Sequence, residues 1–268
     1  MKEYDITKSY VGYNKNALNQ AKASEILISL LKLKGNESIL DIGCGTGSSA
    51  KEMSEQTTGM VLGIDSSKGM IEQANLFSST DDNLRFKLSP VESMGYKDQF
   101  DIVFCNSVFH WFKNPKLVLK KVLDSLHDGG ILALQVPLKN WCPVLTLAIG
   151  KTCASEKIFP FYKSYKSPWF HLNNSQEYSQ LLLDGGFTKT IFAEDSFVTN
   201  EDCNNEKIFN MFMTGPSGAY LNPENYHVDL PHSFNDLFFD EMKKQIRDIN
   251  PSNRIDVIYH RGFIVSKK

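Results

Sequence analysis

The first half of the chain alternates short apolar runs with segments in which apolar residues recur every three or four positions. The runs predict buried strands, and the longer segments predict helices that pack on them. Residues 100–105 (FDIVFC) form a nearly continuous apolar run, which is typical of a central strand buried on both faces. The predicted strands are 38–42, 60–64, 84–88, 100–105 and 131–136, and the predicted helices are 16–33, 47–56, 67–77 and 116–126. This alternation is typical of a parallel α/β sheet.

The pattern changes after residue 136. Residues 137–168 are rich in aromatic residues, lysine and proline and have no clear period. Beyond them, the pattern predicts helices at 175–183, 200–213 and 233–249 and strands at 189–197 and 254–265. We expect this half of the chain to add the last strands of the sheet and an inserted cover over one end of it.

Composition and charge exclude several classes of protein. The 268 residues carry 29 basic and 31 acidic side chains, so a net charge of −2 gives no electrostatic support for nucleic-acid binding. The five cysteines are irregularly spaced and include no CxxC pair, which argues against a disulfide framework and a zinc site. No signal peptide or membrane-spanning run is visible. We expect a cytoplasmic protein, monomeric or weakly dimeric, that binds no metal, nucleic acid or membrane and acts on a small molecule.

A glycine-rich turn follows the first predicted strand. Residues 39–50 (ILDIGCGTGSSA) contain a strand, the turn and the start of a helix, and the turn places glycine at Gly43, Gly45 and Gly47. Such a turn uses glycine for positive φ angles and for close approach of a ligand to the backbone. The ligand then meets free N–H groups at the start of a helix.

Two acidic residues flank this turn. Asp65 ends the second predicted strand, where its carboxylate can accept hydrogen bonds from both hydroxyls of an adenosine ribose. Asp41 precedes the turn and either holds it or meets a cationic amino group. From these residues alone a nicotinamide dinucleotide stays an alternative ligand, because Ser48 is small enough for the GxGxxG fingerprint. A turn that serves packing only is the other alternative.

Four motifs in order resemble those of class I S-adenosylmethionine-dependent methyltransferases. They are residues 39–50, VLGIDSSKGMIEQA (61–74), FDIVFCNSVFHWFKNP (100–115), and the helix end LHDGG with the strand ILALQVP (126–137). Further segments resemble the trans-aconitate methyltransferase group, which is related to the malonyl-acyl-carrier-protein carboxyl methyltransferases. Those segments are LQVPLKNW (134–141), YSQLLLDGGF (178–187), IFNMFMTGP (208–216) and RGFIV (261–265).

The resemblance implies a Rossmann-like, doubly wound α/β fold with a mostly parallel seven-stranded sheet, an antiparallel last strand and a helical cover. It implies a cofactor-binding core with an N-terminal arm in residues 1–136, and a substrate cover with the closing strands in residues 137–268. The implied cofactor is S-adenosylmethionine, with S-adenosylhomocysteine as its product. The implied activity is methyl transfer to a small molecule, with carboxylate O-methylation favoured. Methylation of nitrogen, carbon or sulfur and a non-catalytic binding protein are the alternatives.

The resemblance also assigns residues to the methionine and ribose parts of the cofactor. The three glycines of the turn would approach the methionine moiety, and Asp65 would hold the ribose. Asn106 would lie beside the methionine moiety through its backbone. Tyr13, or alternatively Tyr10, would reach the methionine carboxylate from the N-terminal arm.

The adenine part departs from the pattern of the resembling enzymes. Ser66 and Met70 would flank the adenine ring. Such enzymes often place an acidic residue after the third strand for the adenine amino group, and here Pro90 stands at that position. Ser89 or backbone groups around Val91 would take over this contact.

His110 and Trp111 follow the fourth strand, at the ligand end of the predicted sheet. His110 is a candidate catalytic base, a polar wall of the acceptor pocket or a packing residue. Trp111 is a candidate pocket wall or a core residue.

The second half contributes the candidate substrate-binding residues Trp141, Tyr220, His260 and Arg261. They lie in segments that would face the mouth of the pocket. Arg261 would clamp a carboxylate through two hydrogen bonds, and a surface salt bridge is the alternative for this residue.

Overall fold

The computed structural model describes residues 18–78 and 82–268. They fall into two compact units, a sheet unit of residues 18–139, 171–196 and 261–268 and a helical unit of residues 140–170 and 197–260. The strands are β1 (Ile39–Ile42), β2 (Val61–Asp65), β3 (Leu84–Leu88), β4 (Phe100–Asn106), β5 (Leu126–Pro137), β6 (Lys189–Cys203) and β7 (Ile255–Lys267). The helices are α1 (Leu18–Leu31), α2 (Ser48–Ser54), α3 (Lys68–Ser78), α4 (Pro115–Ser125), α5 (Pro143–Cys153), α6 (Phe159–Tyr162), α7 (Ser175–Asp184), α8 (Asn205–Met213), α9 (Ser217–Tyr220) and α10 (Phe234–Ile249).

The seven strands form one sheet in the order β3-β2-β1-β4-β5-β7-β6. Five neighbouring strands, β3, β2, β1, β4 and β5, pair in parallel. Strand β7 is antiparallel to β5, with Ala133 opposite Val265. This topology confirms the predicted mostly parallel, seven-stranded sheet with an antiparallel last strand. The strand order reverses at β1, so the carboxyl ends of β1 and β4 form the switch point at which ligands bind in such sheets.

Apolar side chains fix the helices on this sheet. Helix α1 packs on β4, β5 and α2. Its residues Ala23 and Leu27 are fully buried in one cluster with Ile39 of β1, Met53 of α2 and Phe104 of β4. Truncation of a side chain as buried as Leu27 to alanine costs about 2–5 kcal/mol of stability, so this packing holds the strands whose ends form the switch point.

The helical unit has a core of its own. Helix α10 packs against α5 and α8, and the rings of Phe212 and Phe238 stack with their centroids 5.6 Å apart. Phe234 meets Phe161 edge to face at 5.5 Å. No helix among the residues described here has the length and apolar character needed to cross a membrane.

Two stretches of this half differ from the prediction. Residues 200–203 were expected to be helical but continue β6, and α8 begins only at Asn205. The boundary lies there because the Asn204 side chain accepts a hydrogen bond of 2.8 Å from the Lys207 amide, as an N-cap does. Helix α5 had no clear period because its sequence, PVLTLAIGKTC, is apolar on most sides, as in a buried helix.

Candidate active site

The glycine turn after β1 uses its glycines in two different ways. Gly45 and Gly47 have φ angles of +55° and +86°, which residues other than glycine adopt only at an energetic cost. A Cβ atom on Gly47 would lie 2.6 Å from the Phe86 ring, so this glycine also permits close packing. A Cβ atom on Gly45 would meet no described atom within 4 Å. The backbone at Gly45 therefore borders open space, as the approach of a ligand requires.

Asp65 is tied directly to this turn. Its Oδ2 accepts a hydrogen bond of 3.0 Å from the Gly45 amide, and its Oδ1 accepts one of 2.8 Å from the Ser67 amide. Burial raises the pKa of Asp65, while the backbone hydrogen bonds from Ser67 and Gly45 oppose this shift. Each carboxylate oxygen keeps a further lone pair, so the group can still accept hydrogen bonds from two ribose hydroxyls.

Asp41 is a buried carboxyl at the end of β1, with 2% of its surface exposed. Its Oδ2 accepts no hydrogen bond from the residues that the structure describes. Burial, with a smaller contribution from Asp65, raises the pKa of Asp41 to about 8. A cationic partner would favour its ionised form. The contact of Asp41 with an amino group and the alternative that it only holds the turn both stay predictions.

The loop after β3 lies beside the end of β2. The Ser89 amide donates a hydrogen bond of 2.9 Å to the backbone oxygen of Asp65, and Pro90 precedes a short 3-10 turn that begins at the buried Val91. Ser66 is exposed, and Met70 lies half-buried on α3. Adenine contacts by Ser66, Met70 and Val91 stay predictions.

Asn106 ends β4, and its Nδ2 donates a hydrogen bond of 3.2 Å to the backbone oxygen of Gln20 on α1. The side chain is thus anchored to the helix, and its predicted contact through the backbone is untested. Tyr10 and Tyr13 lie outside the described residues.

His110 lies in the 3-10 turn after β4 and is buried, with 8% of its surface exposed. Its ring stacks on His171, with centroids 5.3 Å apart and planes 26° apart, and Trp111 lies 5.7 Å away at a tilt of 40°. Burial, then His171 and Arg261, hold the pKa of His110 well below its usual value. Burial lowers the pKa of His171 to about 4. Both rings are therefore neutral at pH 7, and His110 is a weak base.

Arg261 reaches the same cluster from β7. It is buried, with 5% exposed, and its Nη1 donates a hydrogen bond of 3.2 Å to Ser107 Oγ. The alternative of a surface salt bridge is therefore wrong. His171, Ser107 and Gln135, whose Oε1 accepts from Ser107 Oγ, were not among the predicted site residues. No local sequence pattern identifies these three residues, because they lie on segments that are distant in sequence and meet only in the folded chain.

The other candidate substrate residues lie in the helical unit. The Trp141 ring lies 6.0 Å from that of Tyr259, and its backbone oxygen accepts a hydrogen bond of 2.8 Å from the His260 amide. Trp141 and His260 are thus neighbours. Tyr220 belongs to a separate aromatic stack, 5.1 Å from the Tyr165 ring. Substrate contacts by Trp141, Tyr220 and His260 stay predictions.

Comparison with known proteins finds a family model that matches the core of the sheet unit. Residues 40–134 match the family described as methyltransferase domain. Over 103 residues the chain is 30% identical to trans-aconitate 2-methyltransferase of Deinococcus radiodurans. This match covers 38% of each protein. Over 132 residues it is 32% identical to malonyl-[acyl-carrier protein] O-methyltransferase of Acetivibrio thermocellus, which covers 48% of this chain and 46% of that protein. These matches thus span less than half the length of the two curated relatives.

Solved structures share the fold. The YcgJ protein of Bacillus subtilis superposes with a TM-score of 0.59 at 17% identity and covers 92% of this chain and 98% of its own. A phosphoethanolamine N-methyltransferase of Haemonchus contortus, in complex with phosphomonomethylethanolamine and S-adenosylhomocysteine, gives a TM-score of 0.53 at 15% identity. That match covers 96% of this chain and 53% of the other. At these identities the likeness confirms the predicted Rossmann-like fold.

Proposed function

We propose that this chain, which belongs to the class I S-adenosylmethionine-dependent methyltransferases, transfers a methyl group to a carboxylate oxygen of a small acid. The family matches confirm the predicted family and its cofactor, S-adenosylmethionine. The observation that carries the proposal is the position of the buried Arg261 beside two neutral imidazoles, His110 and His171, at the end of β4. A buried guanidinium at the ligand edge of the sheet favours an anionic acceptor.

Residues around the glycine turn fit the donor. The open space at Gly45, the carboxylate of Asp65 and the buried carboxyl of Asp41 would hold the methionine backbone, the ribose and the amino group. When bound, S-adenosylmethionine supplies a methyl group on a cationic sulfur.

We call Ser107, His110, Gln135, His171 and Arg261 the acceptor cluster. This cluster adjoins the glycine turn within the sheet unit. A Cβ atom on Gly43 would lie 2.6 Å from Val108 Cγ2, so the segment that begins at Ser107 packs directly on the turn. His110 lies two residues beyond Val108. The candidate donor and acceptor residues thus belong to adjoining segments, and orienting two reactants accounts for much of the acceleration in a displacement at carbon.

A carboxylate acceptor suits the weak basicity of His110. Carboxylates are ionised near pH 7 and need no catalytic base, whereas a hydroxyl or an ammonium group would need one. We therefore assign His110 to the wall of the acceptor pocket, with Trp111 beside it, and not to proton transfer. The names of the relatives, which specify trans-aconitate and malonyl-[acyl-carrier protein], support a carboxylate acceptor.

Product analysis tests the proposal. The protein is incubated with S-adenosylmethionine that carries a labelled methyl group and with a panel of carboxylic acids, amines and thiols, including trans-aconitate. The expected product is a methyl ester, which mild base hydrolyses to labelled methanol. A base-stable product on nitrogen, carbon or sulfur would overturn the carboxylate assignment, and cofactor binding without transfer to any acceptor would favour a non-catalytic protein.

A further inference from the structure

Two buried polar side chains, Gln135 and Arg261, and the half-buried Ser107 form a hydrogen-bonded row at the carboxyl edge of the sheet. Arg261 Nη1 donates to Ser107 Oγ at 3.2 Å, and Ser107 Oγ donates to Gln135 Oε1 at 2.5 Å. Gln135 has no exposed surface and Arg261 has 5%. Polar groups buried to this extent are costly unless they are paired, so the row needs an explanation.

The register of the sheet creates the row. Gln135 of β5 lies opposite Phe263 of β7, and Pro137 lies opposite Arg261. Side chains two residues apart share a face of a strand, so Gln135 and Arg261 are diagonal neighbours on one face. Ser107 follows the last residue of β4, and its amide donates a hydrogen bond of 3.0 Å to the Gln135 backbone oxygen.

Ser107 has an uncommon backbone conformation. Its φ angle is +60°, in the left-handed region that few residues other than glycine adopt without a cost. Glycine would fit this conformation with less strain than serine. The serine therefore contributes its hydroxyl group, which a glycine would lack.

The row has one direction. A guanidinium can only donate, so the Ser107 oxygen accepts from Arg261, and its own hydrogen points to Gln135. Gln135 must therefore present Oε1 to Ser107 and Nε2 to its other side. Nε2 is a buried donor that meets no acceptor among the described residues. The guanidinium of Arg261 and this amide are then two donors on one face, as an anion site requires.

We propose that Ser107 and Gln135 are positioning residues that aim the Arg261 guanidinium at the carboxylate of the acceptor, and that the Gln135 amide adds a second donor to it. The inference rests on the proposed function for the chemistry of the acceptor. The neutral rings of His110 and His171 line the same cluster.

Two variants of the full chain separate positioning from folding. Ser107→Gly removes the hydroxyl and suits the positive φ angle. Gln135→Glu keeps an acceptor for Ser107 but brings a negative charge to Arg261. Lys32→Gly is the matched control, because Lys32 is exposed and also has a positive φ angle, of +49°.

The readout is calorimetric binding of trans-aconitate to protein saturated with S-adenosylhomocysteine. Each of the two variants is expected to raise the Kd for trans-aconitate at least about tenfold, while Lys32→Gly leaves it unchanged. The Kd for S-adenosylhomocysteine stays within about twofold in all three. In turnover, the same variants raise KM and leave kcat within about threefold.

Three outcomes would overturn the inference. They are an unchanged Kd for trans-aconitate in both variants, an equal loss of affinity for trans-aconitate and S-adenosylhomocysteine, and a wild-type protein that does not bind trans-aconitate. Wild-type binding that depends on Ser107 and Gln135 but gives no methyl ester would uphold this inference and refute the proposed function.

Discussion

The Gly45 amide donates a hydrogen bond of 3.0 Å to Asp65 Oδ2, which joins the turn after β1 to the acidic end of β2. The bond orients the carboxylate before any ligand arrives. It also places the open space beside Gly45 next to the group that would hold a ribose. This pairing is the part of the donor site that the described residues define best.

The glycines of the turn separate ligand binding from packing. Gly45→Ala is expected to cost about 1 kcal/mol of stability, because φ is positive but the added Cβ meets no described atom. Its Kd for S-adenosylhomocysteine should rise at least about tenfold, since the Cβ occupies the ligand's side of the turn. Gly47→Ala should lose more stability, because its Cβ would strike the Phe86 ring. Urea unfolding and calorimetry measure both effects. Undiminished affinity in Gly45→Ala would refute the close approach of a ligand there.

Asp41 should release a proton when the candidate donor site binds its ligand. Its pKa of about 8 leaves the carboxyl mainly protonated at pH 7, and an ammonium partner would lower that pKa. Binding of S-adenosylhomocysteine at pH 7 should therefore release close to one proton. The measurement is the binding heat in two buffers with different ionisation enthalpies. Asp41→Asn should remove the buffer dependence, and a wild-type binding heat that is the same in both buffers would contradict the pairing.

His110 should contribute little to proton transfer. Its pKa lies well below the usual value because of burial, so turnover of a carboxylic acid should show no inflection near pH 6.5. His110→Gln should lower kcat less than about tenfold. A pH–rate profile of both proteins checks this. A loss of about a hundredfold or more, with the pH dependence abolished in the variant, would establish a base and refute the assignment to the pocket wall.

His171 links stability to pH. Its folded-state pKa of about 4 lies below the usual 6.5, so the unfolded chain binds more protons between these values. The free energy of unfolding of the wild type, relative to His171→Asn, should therefore rise with pH from 4 to 7, by up to about 3 kcal/mol. Urea unfolding at several pH values measures the difference. The exposed His227→Asn serves as control for the loss of one histidine. A difference for His171→Asn that does not change with pH would contradict its burial beside His110.

Local pattern was sufficient for the strands around the candidate donor site. Strand β4 was predicted almost to the residue because a strand buried on both faces needs an apolar run, and Asp65 stands at the end of β2 as predicted. The acceptor cluster had no such signal. Ser107 and Arg261 are 154 residues apart, and they meet because β7 inserts between β5 and β6. The stacking of His171 on His110 depends equally on tertiary packing.

Titration of S-adenosylhomocysteine into the wild type, Asp65→Asn and Asp128→Asn tests the central claim most directly. Asp128 is fully exposed and controls for the loss of one acidic charge. Binding to the wild type and to Asp128→Asn with the same Kd, and a Kd at least about tenfold higher for Asp65→Asn, is the predicted result. No binding to the wild type at millimolar concentration, or an equal Kd in all three proteins, would contradict the assignment of this turn as the methyl-donor site.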